Sequence, residues 1–302
     1  MAMTIAQAAM AYQKNDPTLA GIAATFVQNA SVLQYMPFSN VVGQTTSFVR
    51  ESALPTTAAR ALNAAYTASD ATLAKASADL KIYGGKFEAD RALIKMEGES
   101  NILVSQNLQQ KSLARKWQDD FFTSDGSSNT ITGLESTIAA GQKIPTATNG
   151  DPLSLSLLEE AIIKCTGQTK KIFVSTELYL LLQKKSRTSA NVNYLPDQFG
   201  RFMLTYAGYE VVLAGKDASN AEILGFDETQ GTSDVTTSLY VVGFGGDGTS
   251  GIQSSDMVRY VLDKESPAIN YDLEWINNYI IRDLNSAWRV HGITNDIVIN
   301  PL

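Results

Sequence analysis

A glycine-rich segment at residues 243–248 has the sequence GFGGDG, which matches the G-x-G-x-x-G spacing of dinucleotide-binding loops. An apolar stretch typical of a strand, residues 238–242, precedes it. The motif indicates a cofactor only if a helix follows, because the pyrophosphate rests on that helix's N-terminus. Residues 249–256 are polar and turn-forming instead, which predicts a plain turn between strands and no cofactor. A soluble α/β enzyme that binds a nucleotide at this loop stays open as an alternative.

The chain holds a single cysteine and a single histidine, the residue types most used in nucleophilic and acid–base chemistry. Cys165 ends an apolar stretch that begins at Ala161, which predicts a small buried side chain. A nucleophilic cysteine needs a base beside it, and His291 lies far away in the sequence. Since His291 falls in an alternating strand pattern, we predict structural roles for both residues and no catalytic residue.

Metal-ligating patterns are also sparse. The usual zinc clusters need several histidines and cysteines, and the chain has one of each. Two adjacent acidic pairs, Asp119-Asp120 and Glu159-Glu160, fall in helical patterns, where neighbouring side chains point in different directions. We interpret both pairs as solvated surface and predict no metal site.

The composition argues against several functional classes. The 302 residues carry a net charge of −7 with a pI of about 4.9, and no basic run exceeds Lys170-Lys171 or Lys184-Lys185. Specific nucleic-acid binders usually present a basic face, because phosphate contacts supply much of their affinity. No apolar run reaches the roughly 18 residues that cross a bilayer, and residues 1–15 lack the order of a signal peptide. We therefore expect neither a membrane partner nor sequence-specific nucleic-acid binding.

The stretch from residue 42 to residue 122 constrains the architecture most. It begins as a long β-hairpin, with an outward strand at about 45–52, a middle at 53–78 rich in Ala, Ser and Thr, and a return strand at about 79–93. A hairpin of this length with so little apolar surface is not stable alone in water. Its burial partner must lie outside its own domain, which points to assembly rather than catalysis.

A long helix is predicted directly after the hairpin, at about 99–122. Leu113, Trp117 and Phe121 are spaced four residues apart and define a buried stripe, whereas the first half of the helix is polar. Such a helix packs on one side only and lies along the edge of a domain.

The flanking segments complete the outline. A helix is predicted to begin at Asp16-Pro17, with Asp16 as its N-cap, and an apolar stretch at 32–38 is expected to be extended. After residue 150, helices alternate with strands, which predicts a mixed α/β or α+β body. The predicted elements are helices at 153–165 and 176–185 and strands at 171–175, 208–215, 238–242, 257–263, 273–283 and 287–293.

The order of these parts resembles the HK97-type major capsid protein of tailed bacteriophages and related viruses. The segments that carry the resemblance are residues 31–38, 50–55, 84–90, 171–176, 207–212, 242–245 and 279–293. The resemblance covers nearly the whole chain. It implies an α+β, HK97-like capsid fold with an N-terminal arm, an extended E-loop hairpin, a P domain with a long spine helix, and a compact A domain.

The resemblance also implies boundaries and partners. The expected boundaries are the arm at 1–41, the E-loop at 42–96, the P domain at 97–150, the A domain at 151–267 and the closing strands at 268–302. The expected function is structural: hexamers and pentamers of an icosahedral shell in the virion, assembled in the host cytoplasm around double-stranded DNA that is contacted non-specifically. The expected partners are a portal and, since no further domain precedes the arm, a separate scaffolding protein; whether a decoration protein also binds stays open.

Within such a shell the hairpin would lie over a neighbouring subunit. Four charged residues that we expect on its strands are therefore the candidate subunit-interface residues: Arg50, Glu51, Lys86 and Arg91. An encapsulin-type compartment, which holds cargo enzymes instead of a genome, is an alternative with the same fold.

Overall fold

The structure, a computed structural model, describes most of the chain. The described residues are 3–4, 29–53, 55–70, 72–97, 100–187, 191–196, 202–262 and 268–296. The helix predicted to begin at Asp16-Pro17 lies outside them. None of the described helices is both long and apolar enough to cross a membrane.

Helices and strands are mixed along the described chain, in agreement with the predicted α+β class. The helices are α1, Val32–Tyr35; α2, Arg91–Glu97; α3, Ser100–Thr123; α4, Leu134–Thr137; α5, Leu155–Lys164; and α6, Thr176–Lys185. The strands before residue 150 are β1, Met3–Thr4; β2, Pro37–Asn40; β3, Thr45–Ala53; β4, Thr72–Asp79; β5, Lys81–Asp90; and β6, Lys143–Pro145. The later strands are β7, Thr169–Val174; β8, Val192–Pro196; β9, Phe202–Tyr206; β10, Tyr209–Leu213; β11, Glu228–Gln230; β12, Ser233–Phe244; β13, Thr249–Gln253; β14, Val258–Leu262; β15, Ala268–Ile281; and β16, Ala287–Thr294.

Most locally encoded elements are confirmed. Helices α3, α5 and α6 lie within two residues of their predicted bounds, and each predicted strand after residue 150 has a counterpart. Helix α6 begins where predicted because Ser175 Oγ accepts a hydrogen bond from the Leu178 amide at 3.3 Å. The predicted stripe of α3 is also buried.

The expectation that residues 32–38 are extended is wrong in its first part. Residues Val32–Tyr35 form the short helix α1, and the strand β2 begins only at Pro37. Val32 and Leu33 are fully buried, so tertiary packing stabilises a helix that is too short to be stable on its own. The proline then ends it, because the residue before a proline favours an extended backbone.

The first hydrophobic core lies between α3 and the sheet that β15 organises. Strand β15 pairs with β5 along ten residues, with β14 and with β13. The ring of Trp275 on β15 lies 5.8 Å from that of Trp117 on α3 and 5.4 Å from that of Phe38 on β2. Trp117 Nε1 donates to Asn277 Oδ1 at 2.7 Å, so the one polar atom of its ring is satisfied in the core.

The second core lies between helices α5 and α6 and a sheet of order β6-β16-β12-β7-β10-β9-β8. The other face of this sheet packs on the first core through Phe173 and Tyr240, whose rings each lie 5.4 Å from that of Phe122 on α3. Both faces of β12 are therefore covered, and its residues 236–244 are all buried. A strand buried on both faces shows a continuous apolar run rather than an alternating pattern.

The hairpin pairing differs from the prediction. The strand that pairs with β3 is β4, from Ala53↔Thr72 to Thr45↔Asp79. All of it except Asp79 lies within the predicted middle rather than in the predicted return strand at 79–93. The strand pairing changes at Leu80: β4, before it, pairs with β3, whereas β5, after it, pairs with β15. The physical reason is the burial of Tyr83 and Phe87, which face α3 and could not be covered within an isolated two-stranded hairpin.

The Gly84-Gly85 pair consequently lies beneath α3 and not on the hairpin. A Cβ on Gly84 would lie 2.6 Å from the Leu273 carbonyl oxygen of the neighbouring strand. A Cβ on Gly85 would lie 1.6 Å from Gln109 Nε2 of the helix. Gly84 permits the backbone of β5 to lie close to that of β15, and Gly85 permits α3 to lie close to the sheet.

These contacts predict that Gly84→Ala destabilises the subunit more than Gly85→Ala. The Leu273 carbonyl is held in the ladder, so overpacking there should cost about 1–3 kcal/mol. The Gln109 amide is the end of a flexible side chain and can move away. Urea unfolding of both variants measures the difference, and Gln109→Ala should restore the stability of Gly85→Ala but not that of Gly84→Ala. Equal losses for the two variants would contradict this explanation.

The first half of α3 has an unusual distribution of polar and apolar side chains. Gln106 is 3% exposed and Gln110 0% exposed, whereas Leu103, Val104 and Leu108 are 54%, 57% and 62% exposed. Gln106 Oε1 accepts a hydrogen bond from Arg259 Nη1 at 2.6 Å. Neither amide atom of Gln110 has a hydrogen-bond partner among the described residues, and a buried unpaired polar group costs free energy.

We predict that replacing Gln110 with an apolar side chain stabilises the subunit. Gln110→Met keeps the side-chain length and removes two unpaired polar atoms, so the free energy of unfolding should rise by about 1–2 kcal/mol. Gln106→Met is the matched control, and it should lower stability because Arg259 loses its acceptor. Denaturant titration of the two variants measures both changes, and a Gln110→Met variant no more stable than wild type would contradict the prediction.

Candidate assembly surface

The glycine-rich loop is a turn, as predicted. Strand β13 follows it, and no helix N-terminus is available for a pyrophosphate. Its glycines have packing roles: a Cβ on Gly243 would lie 1.9 Å from the Thr166 carbonyl oxygen, and one on Gly248 would lie 2.5 Å from that of Gly243. Gly245 has a φ of +134°, which side chains rarely adopt. These contacts explain why glycine occupies the three positions.

Cys165 and His291 contact different groups. The Cys165 thiol is buried, and burial raises its pKa to about 12, so it is protonated at neutral pH. Its Sγ lies 3.4 Å from the Ser286 carbonyl oxygen. The Nδ1 atom of His291 lies 3.0 Å from Gln230 Oε1, and burial, with Arg289 as the next cause, lowers its pKa. The predicted burial of Cys165 and the predicted strand position of His291 are confirmed.

The interpretation of the acidic pairs as solvated surface is wrong for Asp120. That carboxylate is buried, and it accepts hydrogen bonds from Tyr83 Oη at 2.9 Å and from Lys116 Nζ at 2.7 Å. Tyr83, which donates that hydroxyl, lies on β5. Because the carboxylate is hydrogen-bonded, its burial costs less free energy than that of an unpaired charge. No group of three or more His, Cys, Asp or Glu side chains suited to a metal ion occurs among the described residues.

The hairpin of β3 and β4 remains as the candidate functional element. It forms a two-stranded sheet of its own, separate from the large sheet. At its base, the Leu80 amide donates to the Gln44 carbonyl at 2.8 Å, and Asn278 Nδ2 donates to the Asp79 carbonyl at 2.6 Å. Phe48 packs beside a small buried cluster that contains Leu80. The base is therefore fixed to β15.

The distal part of the hairpin, residues 55–70, makes no comparable contacts with the described residues of the body. Residues 55–70 are all exposed, and the chain reverses at a turn in which the Ala64 amide donates to the Ala61 carbonyl at 3.1 Å. Asn63 has a φ of +64° in this turn, a conformation that Asn tolerates better than most residues. Leu62 is 92% exposed and Tyr66 69% exposed.

The four predicted interface residues lie in two places. Arg50 and Glu51 are on β3, as expected. Arg50 Nε donates to the Ile281 carbonyl of its own chain at 2.8 Å, and desolvation lowers the pKa of its guanidinium. Lys86 and Arg91 were expected on the hairpin, and that placement is wrong: Lys86 is on β5 opposite Asp272, and Arg91 begins α2.

A second exposed surface surrounds Lys86. We call it the open face: the side of β5 and β15 turned away from α3, with Ile82, Lys86, Glu88, Asp90, Asp272 and Glu274. Residues on one face of a strand alternate with those on the other, and Tyr83 and Phe87 are buried on the side of α3. The open face thus carries four carboxylates and one lysine, whose Nζ lies 3.2 Å from Glu88 Oε1.

The sequence interpretation missed the apolar tip of the hairpin and the open face. Leu62 and Tyr66 stand in a stretch of small residues, where the guanidinium of Arg60 lies 5.2 Å from the Tyr66 ring centre. The sequence signal that could have shown the apolar tip is the spacing of Leu62 and Tyr66, four residues apart within a predicted loop. The open face could not be found, because β5 was predicted to belong to the hairpin.

Comparisons with known proteins bear on the fold. No protein-family model matches the chain, and no curated protein matches its sequence. The capsid of the native GTA particle matches with a TM-score of 0.64 at 14% identity, covering 88% of this chain and 90% of that one. The holo-SrpI encapsulin complex from Synechococcus elongatus matches with a TM-score of 0.64 at 10% identity, covering 90% and 89%.

A third solved structure gives the same result. A chain from Mycobacterium phage Bobi matches with a TM-score of 0.60 at 14% identity, covering 87% of this chain and 90% of that chain. The three solved structures thus share this arrangement of helices and strands along most of their length, at identities too low to show more than architecture. The chain has the HK97-type capsid fold.

Proposed function

We propose that the protein is the structural subunit of a closed shell, a major capsid protein that assembles into hexamers and pentamers around double-stranded DNA. The observation that carries the proposal is the exposed distal hairpin, which projects apolar side chains from a fixed base. Large apolar side chains that the described residues leave exposed on a projecting element favour an interaction site. In the proposed shell the hairpin is the E-loop, α3 is the spine helix of the P domain, and residues 151–267 form the A domain.

The open face of a neighbouring subunit is the surface that fits this hairpin. Of the two charged residues in the distal stretch 55–70, Arg60 lies at the tip beside Leu62 and Asp70 at the end of the stretch, so the tip itself is positive. The open face is negative and offers an exposed apolar side chain at Ile82. Complementary charge favours encounter and fixes register. Lys86 and Arg91 then belong to the receiving side of the interface, and Arg50 and Glu51 to the hairpin side.

The partners beyond the shell remain proposals. Acidic character suits an inner surface that encloses DNA without binding it tightly, since strong phosphate affinity would hinder packaging and release. A separate scaffolding protein, a portal, a decoration protein, a place in the virion and assembly in the host cytoplasm follow from the same proposal. The second candidate is an encapsulin-type compartment, a shell of the same fold that holds cargo enzymes instead of DNA. The match to an encapsulin complex supports this candidate.

Negative-stain electron microscopy of the expressed chain, alone and with a candidate scaffold, tests the function. Closed shells of uniform size support the proposal, and a strict monomer or dimer under all conditions overturns it. Nucleic acid inside the particles would favour the capsid, and co-purifying cargo protein would favour the compartment.

The hairpin tip predicts a separation of folding from assembly. Leu62→Ser combined with Tyr66→Ser should leave the unfolding midpoint unchanged, because both side chains are already exposed in the subunit. Shell formation should need at least about tenfold more subunit, since burial of such side chains contributes about 1.5–3 kcal/mol each. Ala58→Ser is the matched control and should assemble normally. Wild-type assembly of the double variant, measured by light scattering, would contradict this role of the tip.

Charge reversals at two of the interface candidates should differ in effect. Arg50→Glu should lower subunit stability by about 1–2 kcal/mol as well as particle yield, because the hydrogen bond to Ile281 is lost. Arg91→Glu should lower particle yield and, because Arg91 is exposed, should lower the unfolding midpoint less than Arg50→Glu does. Unfolding curves and sedimentation of assembled particles measure the two effects, and normal particle yield from both variants would reject the assignment.

A further inference from the structure

The first half of α3 exposes apolar side chains and buries polar ones, a reversal that the described part of the subunit does not explain. Leu103, Val104 and Leu108 lie close together on one side of the helix, and Asn107 and Lys111 continue the same exposed side. We call this surface the helix stripe, comprising Leu103, Val104, Asn107, Leu108 and Lys111. Residues three and four apart on a helix are neighbours on its surface.

The charge of this region also differs from that of the whole chain. Residues 100–118 contain three basic residues and no acidic residue, in a protein whose net charge is −7. Arg115 donates to Asn220 Oδ1 at 3.3 Å, and Lys116 pairs with Asp119 and Asp120. Lys111 is exposed, and no carboxylate lies within salt-bridge distance of it among the described residues.

The shape and chemistry of the helix stripe define what would cover it. It is narrow and straight, about 12 Å long from residue 103 to residue 111 at 1.5 Å per residue. Such a surface is complementary to the ridge of another helix, which packs at 8–10 Å between axes. Apolar side chains at one end and an unpaired lysine at the other require a partner with an apolar face and a carboxylate beyond it.

We propose that the helix stripe is the docking site for an acidic amphipathic helix supplied by a partner protein. The inference rests on the proposed shell function, because it gives the chemistry of a partner that an assembling subunit would bind. A second copy of the stripe fits less well, since its one charged residue is Lys111 and it offers no carboxylate. The hairpin tip fits less well for the same reason, because it carries Arg60.

Peptide binding to the purified chain, kept below the concentration at which it assembles, tests the proposal. The probe is a fluorescein-labelled amphipathic peptide of about five helical turns, with a leucine face and a glutamate face. One control peptide replaces every glutamate with lysine, and another has the same composition in scrambled order. Fluorescence anisotropy should show the glutamate peptide binding at least fivefold more tightly than either control.

Substitutions in the chain locate the site. Leu108→Gln should weaken binding of the glutamate peptide at least fivefold, whereas Leu180→Gln, the same change at an exposed leucine of α6, should not. Lys111→Glu should favour the lysine peptide instead. Unfolding midpoints of these variants should match that of wild type, because the replaced side chains are exposed.

Three outcomes would overturn the inference. The first is equal binding of the glutamate and scrambled peptides, and the second is equal loss from Leu108→Gln and Leu180→Gln. The third is binding of a labelled DNA duplex that depends on Lys111 but not on Leu108, which would assign the stripe to nucleic acid. Microscopy of the same preparations separates the two proposals: shells without peptide binding refute the docking site alone, and peptide binding without shells refutes the shell alone.

Discussion

The packing of Trp117 against Trp275 and Phe38 is the interaction on which the rest of the structure depends. It joins α3, β15 and β2, which are far apart in the sequence, with ring centres 5.4–6.4 Å from one another. The two points from which the hairpin leaves the body, the end of β2 and the start of β5, are both fixed by strands of this core. The hairpin therefore needs no core of its own to have a defined origin and direction.

The elements that the sequence predicts well are those whose signal is local. Helix α3 follows from the spacing of Leu113, Trp117 and Phe121, and α6 follows from its capping serine. The hairpin partner could not be predicted, because β4 is built of small residues without an alternating pattern and β5 has the apolar residues. Strand pairing depends on which surface can cover Tyr83 and Phe87, and only the folded α3 supplies that surface.

Buried polar groups mark a second limit of sequence interpretation. Asp120 was interpreted as surface, yet a hydroxyl from β5 and an amine one turn away satisfy it in the core. Arg289 is buried in the same manner: Nη1 lies 2.9 Å from Glu135 and Nη2 2.8 Å from Glu228, both distant in sequence. Charged residues of this kind are stable inside only as complete sets, and a single sequence does not show which distant residues complete a set.

The core side chains and the exposed apolar side chains have different roles in the proposed closed shell. Most of the large aromatic side chains lie in the core of the subunit. The exposed apolar side chains are spread over the surface, among them those of the hairpin tip and the helix stripe, so each intersubunit contact in the proposed shell would bury only a few of them. Weak contacts repeated by symmetry allow a misplaced subunit to leave while the closed assembly as a whole remains stable. A stronger hydrophobic surface at either place would favour aggregation of single subunits over closure, and the small residues of the hairpin are consistent with that constraint.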